Sequence, residues 1–303
     1  MPPSGSQVEL RSGTARAVVV EVGGGARRFD VDGVAVLDGY DEQELVTGAR
    51  GQPLLPWPNR LHTGRYTWDG TEREVPLDEP AQANALHGLT RWRSWAAEDV
   101  VEDSVTMRLR LHPSPAYPFT LDLSVRYELG PASLTVTTSA TNIGDCDAPW
   151  GAGAHPYVTV GTDVVDDAVL HVPARTWLPT GPAQIPVGRD PVDGTPYDFR
   201  TARPMGKVRV DHAYADLERD ADGRARVVLS APQGRQVDLW VDEHYPYVEV
   251  FTGDTLPEPE RRRRGLGLEP MSCPPDAFRT GEDLVRLAPG QTWSGAWGIE
   301  TAH

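Results

Sequence analysis

From Val105 to Ala140 the chain alternates between apolar and polar side chains through three successive runs. Val105, Met107, Leu109 and Leu111 are separated by Thr106, Arg108, Arg110 and His112. After a turn at His112-Pro113-Ser114-Pro115, Phe119, Leu121, Leu123, Val125, Tyr127 and Leu129 alternate with Thr120, Asp122, Ser124, Arg126 and Glu128. Gly130-Pro131 turns the chain again, and Leu134, Val136, Thr138 and Ala140 resume the pattern. A period of two puts every second side chain on one face of an extended strand, which a helix cannot do. Three such runs joined by short turns predict an antiparallel meander with one face buried and one wet.

The remaining chain fits the same plan. Ala17-Val18-Val19-Val20 reads as an early strand, broken from its neighbours by Gly23-Gly24-Gly25 and Asp38-Gly39. Val237, Leu239 and Val241 alternate with Asp238, Trp240 and Asp242, Tyr247 to Phe251 continues the sheet, and a last strand ends the chain after Pro289-Gly290. Residues 158 to 210 are dense in turns and predict connections with short edge strands, and a short helix is possible only near 79 to 84. With 30 glycines and 28 prolines for turns, and 39% hydrophobic residues for a core, the whole of 1–303 is expected to form one all-β domain, a large antiparallel β-sandwich.

A net charge of −15 argues against nucleic acid and anionic membranes as partners, because both require basic faces. No apolar stretch is long enough to span a bilayer, and Met1 to Ser6 shows no basic-then-apolar leader, so a cytoplasmic protein is expected. Cys146 and Cys273 lie far apart and read as two buried thiols kept reduced, with a disulfide as the alternative.

Eight histidines show no HxH or HExxH spacing and no cysteine pair beside them, so no metal site is predicted. His62, His112, His171, His212, His244 and His303 read as local or solvated groups. His87 and His155 differ, because each sits among small residues or prolines in a loop backed by a sheet, where functional side chains concentrate. His155 follows Gly151-Ala152-Gly153-Ala154 and precedes Pro156-Tyr157. Glu269 lies in a second glycine-rich stretch, Gly265-Leu266-Gly267-Leu268-Glu269-Pro270. The bland reading of each is a side chain satisfying a nearby turn; the sharper one is an acid and a base for proton transfer. Trp57 and Trp92, beside Arg60 and Arg91, are candidate pocket walls. Arg261-Arg262-Arg263-Arg264 is either an exposed mobile loop or an anion site at a pocket rim.

Taken together these pieces resemble the aldose 1-epimerase (mutarotase) family. Asn59-Arg60-Leu61 looks like its Asn-Arg motif, Leu86-His87-Gly88 like its His-Gly motif and Ala154-His155-Pro156-Tyr157 like its His-Pro-Tyr. Asp211-His212-Ala213-Tyr214 is similar to the segment with a sugar-binding aspartate, and Gly267-Leu268-Glu269-Pro270 to that with the catalytic glutamate. The resemblance spans nearly the whole chain and implies a β-supersandwich. Two positions depart from it, Leu89 where the family has a second glycine and Met271 where glutamine often follows Glu-Pro. Either could reshape the pocket, so the substrate of galactose-specific members is not carried over.

The resemblance implies Glu269 as base and His155 as acid, with Asn59, Arg60, His87, Tyr157 and Asp211 binding a monosaccharide, no cofactor, and a monomer or homodimer. Opening a sugar hemiacetal needs a base at the C1 hydroxyl and an acid at the ring oxygen, each supplying roughly 10²- to 10⁴-fold. His155 is expected to be held protonated by an acidic neighbourhood, and Arg60 to offer its forked donors to sugar oxygens. A hexose-6-phosphate 1-epimerase gripping phosphate through Arg261 to Arg264, or Arg91 and Arg93, is the alternative enzyme. A non-catalytic sugar-binding protein of the same fold is the third reading.

Overall fold

The computed structural model describes residues 1–302, and among these the one α-helix is the turn Ala277–Thr280. His303 lies outside the described residues. The fold is a large antiparallel β-sandwich. Its nine-stranded sheet runs, in spatial order, Ala96–Glu98, Ser104–Leu111, Leu121–Gly130, Ser133–Asn142, Thr292–Ala302, Gln236–Val241, Ala225–Ser230, Val169–His171 and Arg203–Pro204. The meander read from the sequence is three neighbouring strands of this sheet, with Leu123 opposite both Leu109 and Ala140.

The eight-stranded sheet orders Asp190–Pro191, Ala174–Trp177, Asp211–Leu217, Tyr247–Phe251, Leu266–Met271, Gly153–Ala154 and Pro53–Leu54, with Tyr157–Val158 also paired to Leu266–Met271. A four-stranded sheet from Gln7 to Ala35 flanks them. Leu121, Leu123, Val125, Val136, Leu239 and Ile299 from the nine-stranded sheet share one apolar core with Val248, Val250, Leu266 and Leu268 from the eight-stranded sheet. Each buried aliphatic side chain of this size contributes about 1.5–3 kcal/mol, which is how the alternation fixes strand register.

Residues 158–210 form short strands and connections as expected, two of the strands at sheet edges. Residues 79–84 form a turn instead of a helix, closed by hydrogen bonds from the Gln82 and Asn84 N–H groups to the Glu79 carbonyl. Cys273 is buried but Cys146 is exposed, and both are free thiols.

Candidate active site

Strand pairing carries the acidic residues onto one face. Glu249 stands directly opposite Glu269, Phe251 opposite Gly267, and Asp211 opposite Phe251. Side chains directly across a ladder, or two residues along it, project from the same face. Asp211, Glu249, Phe251 and Glu269 therefore share a surface, while the intervening Val248, Val250 and Leu268 enter the core. Tyr157 pairs with Gly267 and joins the same face.

The small residues before His155 exist for close approach. A Cβ at Gly151 would sit 2.5 Å from the Cys273 sulfur, and one at Gly153 would sit 2.6 Å from Pro58. The His155 N–H donates to the Gln52 carbonyl and its own carbonyl accepts from the Gly51 N–H, fixing the backbone on both sides. Its ring stacks on Tyr157 with centroids 4.8 Å apart. His155 Nε2 lies 3.2 Å from Glu269 Oε1, and both side chains are almost wholly buried. His155 Nδ1, Glu269 Oε2 and Glu249 Oε2 have no protein partner, which marks groups built for something other than local satisfaction.

Asn59 and His87 hold each other. The His87 N–H donates to the Asn59 carbonyl, and the Asn59 N–H donates to His87 Nδ1 at 3.1 Å. Neutral His87 thus carries its proton on Nε2. Both residues have left-handed backbones, φ 54° and 63°, costly for side chains other than glycine and typical of sites where placement matters. Gly88, also left-handed, admits no side chain because a Cβ would meet the Leu55 carbonyl oxygen at 2.1 Å.

These groups line a cavity of about 320 Å³ with Asn59, Arg60, His87, His155, Tyr157, Asp211 and Glu269 all on its wall. Every residue predicted to act on a sugar is brought together. A larger cleft of about 670 Å³ lies between Arg27 and Arg264, but it contains none of them.

Several expectations are corrected. Arg60 has only part of its fork for the cavity, because Nε and Nη2 bind Glu79 at 2.9 and 3.1 Å and Nη1 lies 3.5 Å from Asn59 Oδ1. The Tyr157 hydroxyl donates to the Gly48 carbonyl, leaving the ring as the contact surface. His155 is not held protonated by acids: burial, then the charges of Arg50 and Arg91, push it down to about 3. Burial and Asp211 hold Glu269 well above the usual carboxylate range, and burial with the neighbouring His155 pushes His87 down. Both shifts favour the uncharged forms of the two groups.

Neither tryptophan is a pocket wall. Trp57 is buried against Phe278 and Trp92 is exposed outside the cavity, whose aromatic lining is Tyr157 and Phe251. Leu89 and Met271, the two departures, both pack away from the cavity. The arginine run does not line this cavity, while Arg261 and Arg264 line the larger cleft, and all four side chains have partners. Arg261 binds Glu44 and the Gly39 carbonyl, Arg262 the Leu256 carbonyl, Arg263 Asp166 and Asp254, and Arg264 Asp38.

Two neighbours of the site escaped the sequence reading. Arg50 lies buried with its guanidinium 4.2 Å from the Tyr157 ring centre, on a stack that continues to His155; no motif marks it. Glu249 did leave a signal, an acid at the centre of the otherwise apolar Tyr247-Val248-Glu249-Val250-Phe251. Donor atoms of His87, His155 and Glu269 also come within 4.8 Å of one another, a proximity that spacing along the chain does not reveal.

The chain thus presents an antiparallel β-sandwich in which an imidazole and a carboxylate meet at the wall of a polar cavity. The aldose 1-epimerase family model matches residues 6–299, and the chain belongs to that family. It is 33% identical to the uncharacterized protein YihR of Escherichia coli K12 over 290 residues, 95% of this chain and 91% of that protein. It is 25% identical to the galactose mutarotase of Rattus norvegicus over 310 residues, covering 95% and 84% of the two. Among solved structures, the GalM/aldose epimerase homologue of C. elegans superposes with a TM-score of 0.86 at 18% identity, covering 98% of this chain and 99% of that one. The galactose 1-epimerase of Lactobacillus acidophilus gives 0.82 at 19%, with 98% and 95% covered.

Proposed function

We propose that the protein is a mutarotase that interconverts the α and β anomers of a free aldose. The observation that carries this reading is the buried 3.2 Å contact between His155 Nε2 and Glu269 Oε1, with Glu269 Oε2 unpartnered at the cavity wall.

Glu269 takes the proton of the C1 hydroxyl, C1=O forms, the C1–ring oxygen bond breaks, and His155 protonates the ring oxygen. The aldehyde rotates about C1–C2 and recloses by the reverse transfers. Opening converts a carboxylate and an imidazolium into a carboxylic acid and a neutral imidazole. Both forms of the pair hold the same number of protons and the same net charge, so a buried site can host both. Proton transfer across the 3.2 Å contact interconverts the uncharged pair and the carboxylate–imidazolium form that attacks. On this reading His87 Nε2–H and Asn59 donate to sugar hydroxyls, and Asp211 accepts.

A free sugar is favoured over a phosphorylated one by the charges around the cavity. Arg60 is held by Glu79 and Arg91 by Asp78, and Asp211 adds a further acid to the wall. The arginine run is tied elsewhere. An incoming phosphate would have to displace carboxylates from their partners. A pure sugar binder would have no use for an acid touching a base.

The test is polarimetry on freshly dissolved α-D-glucose and α-D-galactose, with glucose 6-phosphate in parallel. Acceleration on a free sugar upholds the proposal. Acceleration confined to the phosphate moves the activity to the phosphorylated class, and none on any sugar removes the enzymatic reading.

A further inference from the structure

Glu249 is a fully buried acid that the reaction above does not use. It stands directly across the ladder from Glu269, and Asp211, two residues along on the same face, is a second acid bearing on it. Its Oε2 has no protein partner. Two carboxylates cannot hydrogen-bond to each other unless one carries a proton, since an ionised carboxylate only accepts. Nor is there cation enough for three ionised acids. Among the described residues Arg60 is the positive side chain bearing on Glu249, and its Nε and Nη2 are taken by Glu79.

We propose that Glu249 works as a carboxylic acid, a positioning residue that donates its proton to Asp211 and stays uncharged so that its ladder partner Glu269 can carry the negative charge of the pair. This rests on the mutarotase reading for its purpose, but not for its observation.

Charged and titratable groups face Glu249 from every side: Asp211 and Tyr214 from the strand Asp211–Leu217, Glu269 from Leu266–Met271, and Arg60 from Arg60–His62. Of these only Arg60 favours its ionisation. Burial, Asp211 and Glu269 all hold its proton on. A neutral Glu249 also orients Asp211: with one oxygen fixed by that donor, the other is directed to accept from a sugar hydroxyl.

The decisive measurement needs no substrate. The infrared spectrum of the whole protein at neutral pH should contain a protonated-carboxyl carbonyl band that Glu249→Gln removes and Asp211→Asn retains, shifted. If Glu249→Gln leaves every such band in place, or if the band is lost only in Asp211→Asn, the proposal fails. Because no turnover is read, failure here is separate from failure of the mutarotase assignment. Activity supplies a second readout. Gln mimics the neutral acid, so the alkaline limb of kcat/KM should stay where it is in Glu249→Gln. Were Glu249 ionised, removing a charge so close to the pair would move that limb down by about one pH unit or more. Glu249→Ala, which cannot donate to Asp211, should lose about tenfold or more in kcat/KM relative to Glu249→Gln; equal losses would reduce Glu249 to packing.

Discussion

The strands Leu121–Gly130 and Leu266–Met271 obey the same period of two and meet opposite fates. In the first, buried and half-exposed positions alternate along the strand, so Asp122, Ser124, Arg126 and Glu128 face water. In the second every residue is buried, and Glu269 is taken out of water along with the leucines. Its neighbour Tyr247–Phe251 does the same with Glu249. Polar alternation therefore marks a solvent face only when nothing covers that face. Where segments such as 48–49, 59–60 and 86–91 line it, the same pattern gathers acids into a buried cavity, at a cost that a packing strand has no reason to bear.

Predictions follow by pressing on that difference. Glu269→Gln should lower turnover by roughly 10²- to 10⁴-fold with the unfolding midpoint kept or raised, since a buried ionisable group becomes a neutral one. A variant retaining most of its polarimetric rate would remove Glu269 as the base. Leu123→Ala, in the other sheet, should cost about 2–5 kcal/mol of stability while activity per folded molecule holds. A drop in activity with unchanged denaturation would mean the sheets are coupled in a way the geometry does not suggest.

The pH dependence should also divide the two regions. His155 is pushed down to about 3 while Glu269 sits well above its ordinary 4.5. On the proposed mechanism His155 stays uncharged from about 3 upward, and Glu269 gives up its proton only above the usual carboxylate range. The rate should fall on the alkaline side as one coupled step of the pair. Titration by NMR of the His155 ring would contradict this by showing imidazolium in the empty enzyme at pH 6.

Stability should follow the same groups. Glu249 and Glu269 both keep protons in the fold that they lose near 4.5 when unfolded. The stability they contribute is complete below that value and is lost as pH rises through their folded values. Denaturation of Glu269→Gln across that range should show a flatter decline than the native chain. The smallest effect belongs to the wet face: Arg110→Ala, breaking an exposed pair with Asp122, should leave the unfolding midpoint in place.

Much of this was legible beforehand. The meander announced its register because half of its positions have to be apolar and half do not. His87, His155 and Glu269 stood out because each sits beside glycine or proline, where the backbone has been shaped for a side chain. Arg50 and the acid role of Glu249 were not legible, since a buried cation behind an aromatic ring and a proton shared between two carboxyls depend on distances between strands far apart in the chain. The tryptophans misled for a related reason: composition reports how many aromatic rings there are, and packing decides which of them face a cavity.

By itself, then, the sequence determined the all-β sandwich, the strand register and the candidates for acid and base, because alternation, turns and glycine act over a few residues. Only the tertiary structure decided what those candidates are. Burial sets their charge, since transfer out of water penalises the ionised form whatever the residue type, and burial belongs to the assembled sheets and the loops that close over them.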